Sequence, residues 1–381
     1  MFVHPLFSIS FYISRSACFI SLMTNPRLTL QHIHIHHLRC HQDFSWDFDG
    51  HLNLISGDNG SGKTTVLEAV YILAYGRSFR QAKAPQLTRW NEKSFHVQAT
   101  IRRYGPLHVR VDGKKGKVNM SLQGRRIAKR QDMFEHVALV VDAPQGVRLI
   151  DGSPGERRKW LDRLVIASQA ASHAHYQGYL RALMQRGRLL RHGGSVAELE
   201  SWEQQIVEYG MILNAKRAMV LGELNQHLVE ESYWLDLPFQ LEITQQPFES
   251  QEAWLTFLAS KREEHHQLGR VTQGPHCDRL KISYNSREIR VCGSRGQQKI
   301  SGIVLRLAEC AVLQKSKRMM PILLLDDCFE ALDQTHALRL MERLKQHQGQ
   351  VLMTAAGQVA SYMSKHTLHL SLTGGKSQAF R

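Results

Sequence analysis

The sequence Gly57-Asp58-Asn59-Gly60-Ser61-Gly62-Lys63-Thr64-Thr65 fits the phosphate-loop pattern G-x-x-x-x-G-K-[ST]. An apolar run at 52–55 precedes it, and residues 66–73 follow with the apolar spacing of a buried helix. The order of strand, glycine-rich loop and helix is the context in which this pattern binds phosphate. We therefore expect these positions to organise a nucleotide site.

The chemistry expected of this loop follows from its residue types. The glycines let backbone N–H groups turn towards an anion, and the following helix adds the partial positive charge of its N-terminus. Lys63 would reach the β- and γ-phosphates of ATP, and the Thr64 hydroxyl would ligate Mg²⁺. A glycine-rich surface turn is the alternative interpretation, but the Gly-Lys-Thr sequence between a strand and a helix favours nucleotide binding.

Composition favours a compact protein with an anionic partner. The 381 residues are 43% hydrophobic, enough to bury the core of roughly two or three lobes. Lys and Arg number 49 against 34 Asp and Glu, and the net charge of +15 favours a partner such as nucleic acid. The six cysteines include no C-x-x-C pair, so neither a zinc site nor a disulfide framework is indicated, and a reducing cytosol fits best.

The N-terminal segment 1–22 is apolar and aromatic, but Arg15 interrupts it and no basic region precedes it. These features argue against a signal peptide or a membrane anchor. We expect 1–22 to be an N-terminal extension of doubtful status, with Met23 as a candidate start.

Apolar residues alternate over 28–35 with one shift of phase after Leu30, which predicts a strand with one buried face. The other face of this strand carries His32, His34 and His36. These side chains could ligate a metal ion, but no cysteine or carboxylate joins the cluster. An exposed strand face is therefore the favoured interpretation.

The segment 102–130 alternates like an antiparallel meander, with turns at 104–106 and 112–116. Its one acidic residue is Asp112. The ten basic residues of the segment are Arg102, Arg103, Arg110, Lys114, Lys115, Lys117, Arg125, Arg126, Lys129 and Arg130. Solvated hairpin tips explain single charges, whereas the bias of the whole segment favours nucleic-acid binding.

Two long helical patterns, at 176–190 and 199–213, flank a turn at 192–194. This arrangement predicts an antiparallel helical hairpin with Arg181, Arg188 and Arg191 on its outer side. We expect the hairpin to belong to a separate helical lobe.

Two further motifs lie near the C-terminal end. Ser294-Arg295-Gly296-Gln297-Gln298 precedes a helical pattern, so donors at a helix N-terminus could bind a second anion. The buried run 322–325 ends in Asp326 and Asp327. Asp326 would hold Mg²⁺ against the nucleotide, and Asp327 would orient or deprotonate the attacking water. The alternative is that these residues cap the following helix, which suits one Asp better than both. Strand character is also predicted at 288–291.

Together these motifs resemble the split head of SMC-type ATPases of the ABC class and, more narrowly, the RecF family of recombination and gap-repair proteins. The matching stretches are 57–65, 152–154 with 157–158 and 161–162, 185–186, 274–276 with Asp278, 294–298 and 323–333. The resemblance implies an α/β fold, namely an ABC-type P-loop ATPase head with a β-rich subdomain and an inserted helical lobe. The expected parts are 23–155, the N-terminal part of the head; 156–265, the helical lobe; and 266–381, the C-terminal part of the head.

The resemblance also implies roles for individual residues. Gly57 to Thr65 would bind the nucleotide, with Lys63 and Asp327 catalytic and with Thr64 and Asp326 as metal ligands. Arg39 would lie beside the nucleotide. Ser294, Gly296 and Gln297 would contact the γ-phosphate of ATP in an opposing protomer. Gln145 lies in the region where ABC proteins place a Gln that binds metal or water.

The function implied by the resemblance is that of a cytoplasmic, weak Mg²⁺-dependent ATPase that dimerises on ATP. It would bind single-stranded DNA and junctions of single- and double-stranded DNA, and act with RecO and RecR to help RecA load at gaps. An ATPase subunit of an ABC transporter and a catalytically idle DNA-binding scaffold are the alternatives. Transport would need a membrane partner, for which no surface is recognisable outside 1–22. A scaffold would need none of Lys63, Thr64, Asp326 and Asp327.

Overall fold

The computed structural model describes residues 27–128, 130–143, 149–169, 171–235, 239–244, 248, 250–284, 287–356, 367–373 and 376–380. The first elements are β1 (Thr29–Leu38), β2 (His41–Asp47), β3 (Leu52–Gly57), α1 (Lys63–Tyr75), α2 (Ala84–Leu87), β4 (Ser94–Arg102), β5 (Pro106–Lys114), β6 (Lys117–Leu122), β7 (Arg125–Arg126), α3 (Arg130–Met133) and β8 (Leu139–Asp142). The middle of the chain contains α4 (Pro154–Ser168), α5 (Ser172–His192), α6 (Val196–Leu235), β9 (Phe239–Thr244), α7 (Gln251–Ser260) and α8 (Arg262–Leu268). The last elements are β10 (Arg279–Tyr284), β11 (Arg287–Glu288), α9 (Ile289–Cys292), α10 (Arg295–Lys317), β12 (Ile322–Leu325), α11 (Gln334–Lys345), β13 (Val351–Ala356), β14 (Thr367–Thr373) and β15 (Lys376–Phe380).

A six-stranded, mostly parallel sheet positions the predicted site. Its strand order is β15-β14-β3-β13-β12-β8, and only β15 runs antiparallel to its neighbour. Met353 of β13 pairs with Leu54 of β3 on one side and with Leu325 of β12 on the other. Because parallel strands end at one edge, the loop after β3 and the Asp pair after β12 meet there.

A second six-stranded sheet, in the order β2-β1-β4-β5-β6-β7, is antiparallel. The apolar helix α1 is buried on nearly all sides because its residues pack in one core with residues of both sheets. The register between β1 and β4 shifts between Leu30 and His32. The shift of phase predicted in this strand is thereby confirmed.

The helices α5 and α6 pack against each other around a second core that includes Tyr179, Ile206 and Trp254. The predicted helical hairpin is confirmed. The second half of α6 leaves this core, since it packs on α10, and Leu224 belongs to the core that also contains residues of the parallel sheet. The long helix therefore connects the hairpin to the head, and the boundaries at 156–265 stay a proposal.

The strand predicted at 288–291 is wrong. Only Glu288 extends the short strand β11, and the next four residues form the helical turn α9. Gly293 donates its N–H to the backbone oxygen of Ile289 at 2.9 Å, so a local hydrogen bond replaces a sheet contact. Ile289 is fully buried, and its packing overrides the strand preference of a β-branched side chain.

In the part of the chain that the structure describes, no helix is long and apolar enough to cross a membrane.

Candidate functional site

The loop 57–65 turns tightly between β3 and α1, and its glycines adopt backbone angles that other residues avoid. Gly57, Gly60 and Gly62 have φ of 141°, 84° and 101°. A Cβ on Gly57 would lie only 2.3 Å from the backbone oxygen of Leu372. These glycines let the loop lead directly into the N-terminus of α1, where backbone N–H groups are free to bind an anion.

Lys63 lies inside the curve of this loop and is only 6% exposed. Its ammonium donates to the backbone oxygens of Gly57 at 2.7 Å and Asp58 at 2.9 Å. The Ser61 hydroxyl in the same loop is buried and has no hydrogen-bond partner within the described residues. A buried cation and an unpaired buried hydroxyl in one glycine-rich loop favour an anionic ligand.

Hydroxyls from two elements converge on one oxygen of Asp326. Thr64 of α1 donates to Asp326 Oδ1 at 2.9 Å, and Thr354 of β13 donates to the same atom at 2.7 Å. Burial raises the pKa of the Asp326 carboxyl, the Thr354 and Thr64 hydroxyls oppose the rise, and the charge of Asp327 adds to it. A cation beside this carboxylate would stabilise its ionised form.

The donor set around Asp326 fits magnesium. Carboxylate and hydroxyl oxygens are the hard ligands that Mg²⁺ prefers, and water and phosphate oxygens usually complete its coordination. The sequence predicted Thr64 and Asp326 for this site but missed Thr354. The available signal for Thr354 is a single polar side chain within an otherwise apolar strand.

Asp327 is held in an uncommon backbone conformation directly after β12. Its φ of 47° lies in the left-handed region, which costs a non-glycine residue about 1–2 kcal/mol. Its N–H donates to Thr354 Oγ1 at 2.8 Å, while Oδ1 is buried without a hydrogen-bond partner among the described residues. The helix-cap alternative is wrong, because the side chain of Asp333 caps α11.

Arg39 lies in the turn between β1 and β2, with a φ of 54°. Its guanidinium donates to both carboxylate oxygens of the fully buried Glu68 on α1, at 3.0 and 2.9 Å. The next residue, Cys40, places its thiol 3.8 Å from Thr65 Oγ1. The turn is thus fixed against the phosphate loop, and contact of Arg39 with a nucleotide stays a prediction.

Ser294, Gly296 and Gln297 lie at the start of α10. The Ser294 hydroxyl accepts from the Gln297 N–H at 3.2 Å, and the Gln297 side chain accepts from the Ser294 N–H at 2.9 Å. A Cβ on Gly296 would lie 2.8 Å from the backbone oxygen of Ala331, so glycine permits close approach of that loop. Among the described residues, neither Ser294 nor Gln297 hydrogen-bonds to the loop 57–65.

Lys299 connects α10 to the carboxylate end of the parallel sheet. Its ammonium lies 3.2 Å from Asp142 Oδ2 and 3.2 Å from the backbone oxygen of Asp326. No sequence pattern predicted this contact, because the three residues are far apart in the chain. Gln145, just beyond Asp142, lies outside the described residues.

The histidine-bearing face of β1 pairs with acidic residues of β2, so the expectation that no carboxylate joins this cluster is wrong. His32 lies 2.7 Å from Asp47, and His34 lies 2.5 Å from Asp43. Within the described ranges, no group of three or more His, Cys, Asp or Glu side chains is arranged to hold a metal ion.

The basic meander is solvent-exposed at the hairpin between β5 and β6. Lys114, Lys115 and Lys117 are exposed and form no ion pair within the part of the chain that the structure describes. Arg110, by contrast, donates to Asp112 at 2.9 Å. Lys129 lies outside the described residues. The hairpin lysines are therefore accessible for binding a polyanion.

Comparisons with known proteins identify the family of this chain. Residues 29–377 match the family model described as the RecF/RecN/SMC N terminal domain. The DNA replication and repair protein RecF of Geotalea daltonii is 32% identical over 320 residues, covering 80% of this chain and 86% of that protein. The protein of the same description in Moorella thermoacetica is 31% identical over 325 residues, covering 84% and 88%.

Solved structures show the same fold. One described as the recombination mediator protein RecF-ATPrS in the RecFOR pathway has a TM-score of 0.80 at 23% identity, covering 94% of this chain and 100% of that one. An Smc head domain from Pyrococcus furiosus has a TM-score of 0.56 at 17% identity, covering 93% and 96%. The predicted α/β fold, an ABC-type P-loop ATPase head, is confirmed.

Proposed function

Because this chain belongs to the RecF/RecN/SMC family and, within it, to the RecF proteins, we propose that it is an ATP-driven dimerisation switch acting on DNA in recombinational repair. Membership of the family implies ATP binding and hydrolysis in general. We also propose the roles of the individual residues, the use of Mg²⁺, the slow turnover and the partners named below.

The observation that carries the proposal is the convergence of Thr64 and Thr354 on Asp326 Oδ1 beside the phosphate loop. Lys63 would exchange its backbone contacts for the β- and γ-phosphates, and Thr64 and Asp326 would hold Mg²⁺. The cation would neutralise charge that develops on the transferred phosphoryl group. Asp327, with one unpaired carboxylate oxygen, would orient the attacking water.

The second anion site would act across a dimer. Ser294, Gly296 and Gln297 make no hydrogen bond with the phosphate loop of their own chain in the described residues, yet they begin a helix with backbone donors. We propose that they contact the ATP of a second protomer and that the dimer is the DNA-bound state. RecO and RecR would then be partners in helping RecA load at gaps, in the cytoplasm.

Replacing Asp327 with Asn tests the switch. We expect Asp327→Asn to bind ATP normally but to hydrolyse it about 100-fold more slowly, because an amide is a far weaker base than a carboxylate. Analytical ultracentrifugation after ATP addition should show mutant dimers that outlast those of the wild type.

The matched control for this change is Glu342→Gln, which makes the same carboxylate-to-amide change at an exposed residue of α11, outside the matching stretch 323–333. It should hydrolyse ATP like the wild type. Equal turnover in Asp327→Asn and wild type would contradict the role of Asp327. If neither Asp327→Asn nor the wild type forms dimers on ATP addition, the dimerisation switch is contradicted and a catalytically idle DNA-binding scaffold is favoured.

Binding to DNA is expected to depend on backbone phosphates, since the exposed hairpin offers cations without a base-reading motif. Changing Lys114, Lys115 and Lys117 together to Glu should weaken binding at least about tenfold and flatten its salt dependence. Sequence preference should stay the same. Fluorescence anisotropy with labelled single-stranded and gapped DNA at several salt concentrations measures all three effects.

A control with the same change of net charge uses lysines elsewhere on the surface. The residues to change to Glu are Lys261, Lys315 and Lys345, which pair with acidic neighbours. If both triple variants weaken DNA binding equally, the effect belongs to net charge and the hairpin is not the DNA surface.

A further inference from the structure

A cleft of about 780 Å³ lies between the helical hairpin and the segment 269–279, away from the residues assigned above. The start of α4, one side of α5, and the segment 269–279 supply its walls. Two kinds of side chain dominate the lining: the aliphatic Leu180, Leu183 and Met184, and the cationic Arg158, Arg270 and Arg279.

The three arginines give the lining of the cleft a positive charge. None of them forms an ion pair with a described residue, and Arg158 donates to the backbone oxygen of Asp278 at 2.7 Å. No Asp or Glu is among the described residues that line the cleft. A concave site lined by one sign of charge concentrates the electric field and selects ligands of opposite sign. The ligand expected here is an anion.

The aliphatic part of the cleft lining favours one kind of anion, an acidic peptide, over DNA. Met184 is 63% exposed and Leu180 is 39% exposed, so these side chains leave apolar surface uncovered. No Phe, Tyr or Trp ring belongs to the described lining. Stacking on such rings supplies much of the binding energy of a nucleobase. Aliphatic side chains of a peptide suit this wall better than the bases of DNA.

One of the three arginines, Arg158, is held by a buried network. Arg217 donates to Asp162 at 2.6 Å and to Asp278 at 2.7 Å, and the backbone oxygen of Asp278 accepts a hydrogen bond from Arg158. Arg186 of α5, which also lines the cleft, is buried and donates to Glu203 at 2.9 Å. A ligand would meet a site whose walls are already in place, which reduces the entropy cost of binding.

We propose that this cleft docks an acidic segment of a partner protein through its carboxylates and an adjacent leucine-like side chain. The carboxylates would pair with Arg158, Arg270 and Arg279. The aliphatic side chain would cover Leu183 and Met184. This inference does not depend on the ATPase assignment, because none of these residues belongs to the nucleotide site.

Fluorescence anisotropy with a fluorescein-labelled peptide Gly-Asp-Glu-Asp-Leu-Leu tests the proposal on the full chain. The peptide should bind the wild-type protein. Its affinity should fall at least about tenfold in Arg279→Glu, because this change reverses a charge at the rim of the cleft. Gly187→Trp should cause a similar loss by filling the cleft. Gly187 lies in α5 and lines the cleft, and a Cβ there meets no atom within 4 Å.

The matched control is Gly222→Trp on α6, where an added Cβ also meets no atom within 4 Å but the site lies outside the cleft lining. It should bind the peptide like the wild type, and circular dichroism should show all variants folded. If Gly187→Trp fails to fold, the exposed Arg279→Glu decides. Equal peptide binding by the wild type and the folded cleft variants would overturn the proposal, as would no binding to the wild type. Binding of oligothymidylate that the cleft variants abolish, without peptide binding, would assign the cleft to DNA instead.

Discussion

Lys63→Ala is expected to lose nearly all measurable ATP binding. Lys63 is the cation buried in the curve of the phosphate loop, and its ammonium can donate to the β- and γ-phosphates in place of the backbone oxygens of Gly57 and Asp58. Hydrogen bonds from a charged donor contribute about 1.5–3 kcal/mol each. Losing about 3 kcal/mol weakens binding roughly 100-fold. Titration with a fluorescent ATP analogue measures this change.

Two variants control for Lys63→Ala. Lys93→Ala removes an exposed lysine and should bind ATP normally. Lys63→Arg should retain part of the affinity but hydrolyse poorly, because a planar guanidinium does not replace a compact ammonium. If Lys63→Ala binds ATP as tightly as the wild type, the Lys63 side chain is not needed for ATP binding. The assignment of Lys63 to the β- and γ-phosphates would then be wrong.

The phosphate loop was predictable because its constraints are local. A run of glycines, a lysine and a threonine specify backbone angles and a helix start within one short segment. The strand β1 was predictable for a similar reason, since one buried face gives a period of two and the bulge after Leu30 shifts that period.

Contacts between distant segments were not predictable in this way. Thr354 reaches Asp326 only because β13 lies next to β12 in the sheet. Buried Arg217 joins Asp162 to Asp278 across more than one element. A basic residue in a helical pattern normally predicts exposure, and only the tertiary fold shows that this guanidinium is enclosed by its acidic partners.

The α10 helix links the two halves of the proposed switch. Ser294 begins this helix, and Lys299, little more than one turn later, contacts the backbone of Asp326. A movement of the helix N-terminus on contact with a partner's ATP would therefore reach Asp326, the proposed metal ligand, through the contact of Lys299 with its backbone oxygen. Dimerisation and hydrolysis are expected to be coupled for this reason.

Ser294→Arg is expected to remove ATP-dependent dimers while leaving ATP binding by the monomer nearly intact. A bulky guanidinium at the start of α10 would crowd the γ-phosphate site at the interface, but Ser294 makes no hydrogen bond to the phosphate loop of its own chain in the described residues. Cooperative hydrolysis should disappear with the dimer. Because two basic surfaces brought together raise the local field, DNA binding should lose its ATP dependence as well.

The loss of a helix cap must be separated from the loss of the interface. Ser195→Arg provides the match, because Ser195 forms the same kind of reciprocal hydrogen bonds with Glu198 at the start of α6. Each variant should lose about 1 kcal/mol of stability through its cap, yet Ser195→Arg should still dimerise on ATP. Nucleotide titration paired with analytical ultracentrifugation distinguishes the outcomes. Persistent dimers in Ser294→Arg would defeat the model in which this serine acts on the partner's ATP, and loss of monomer ATP binding would place it in the site of its own chain.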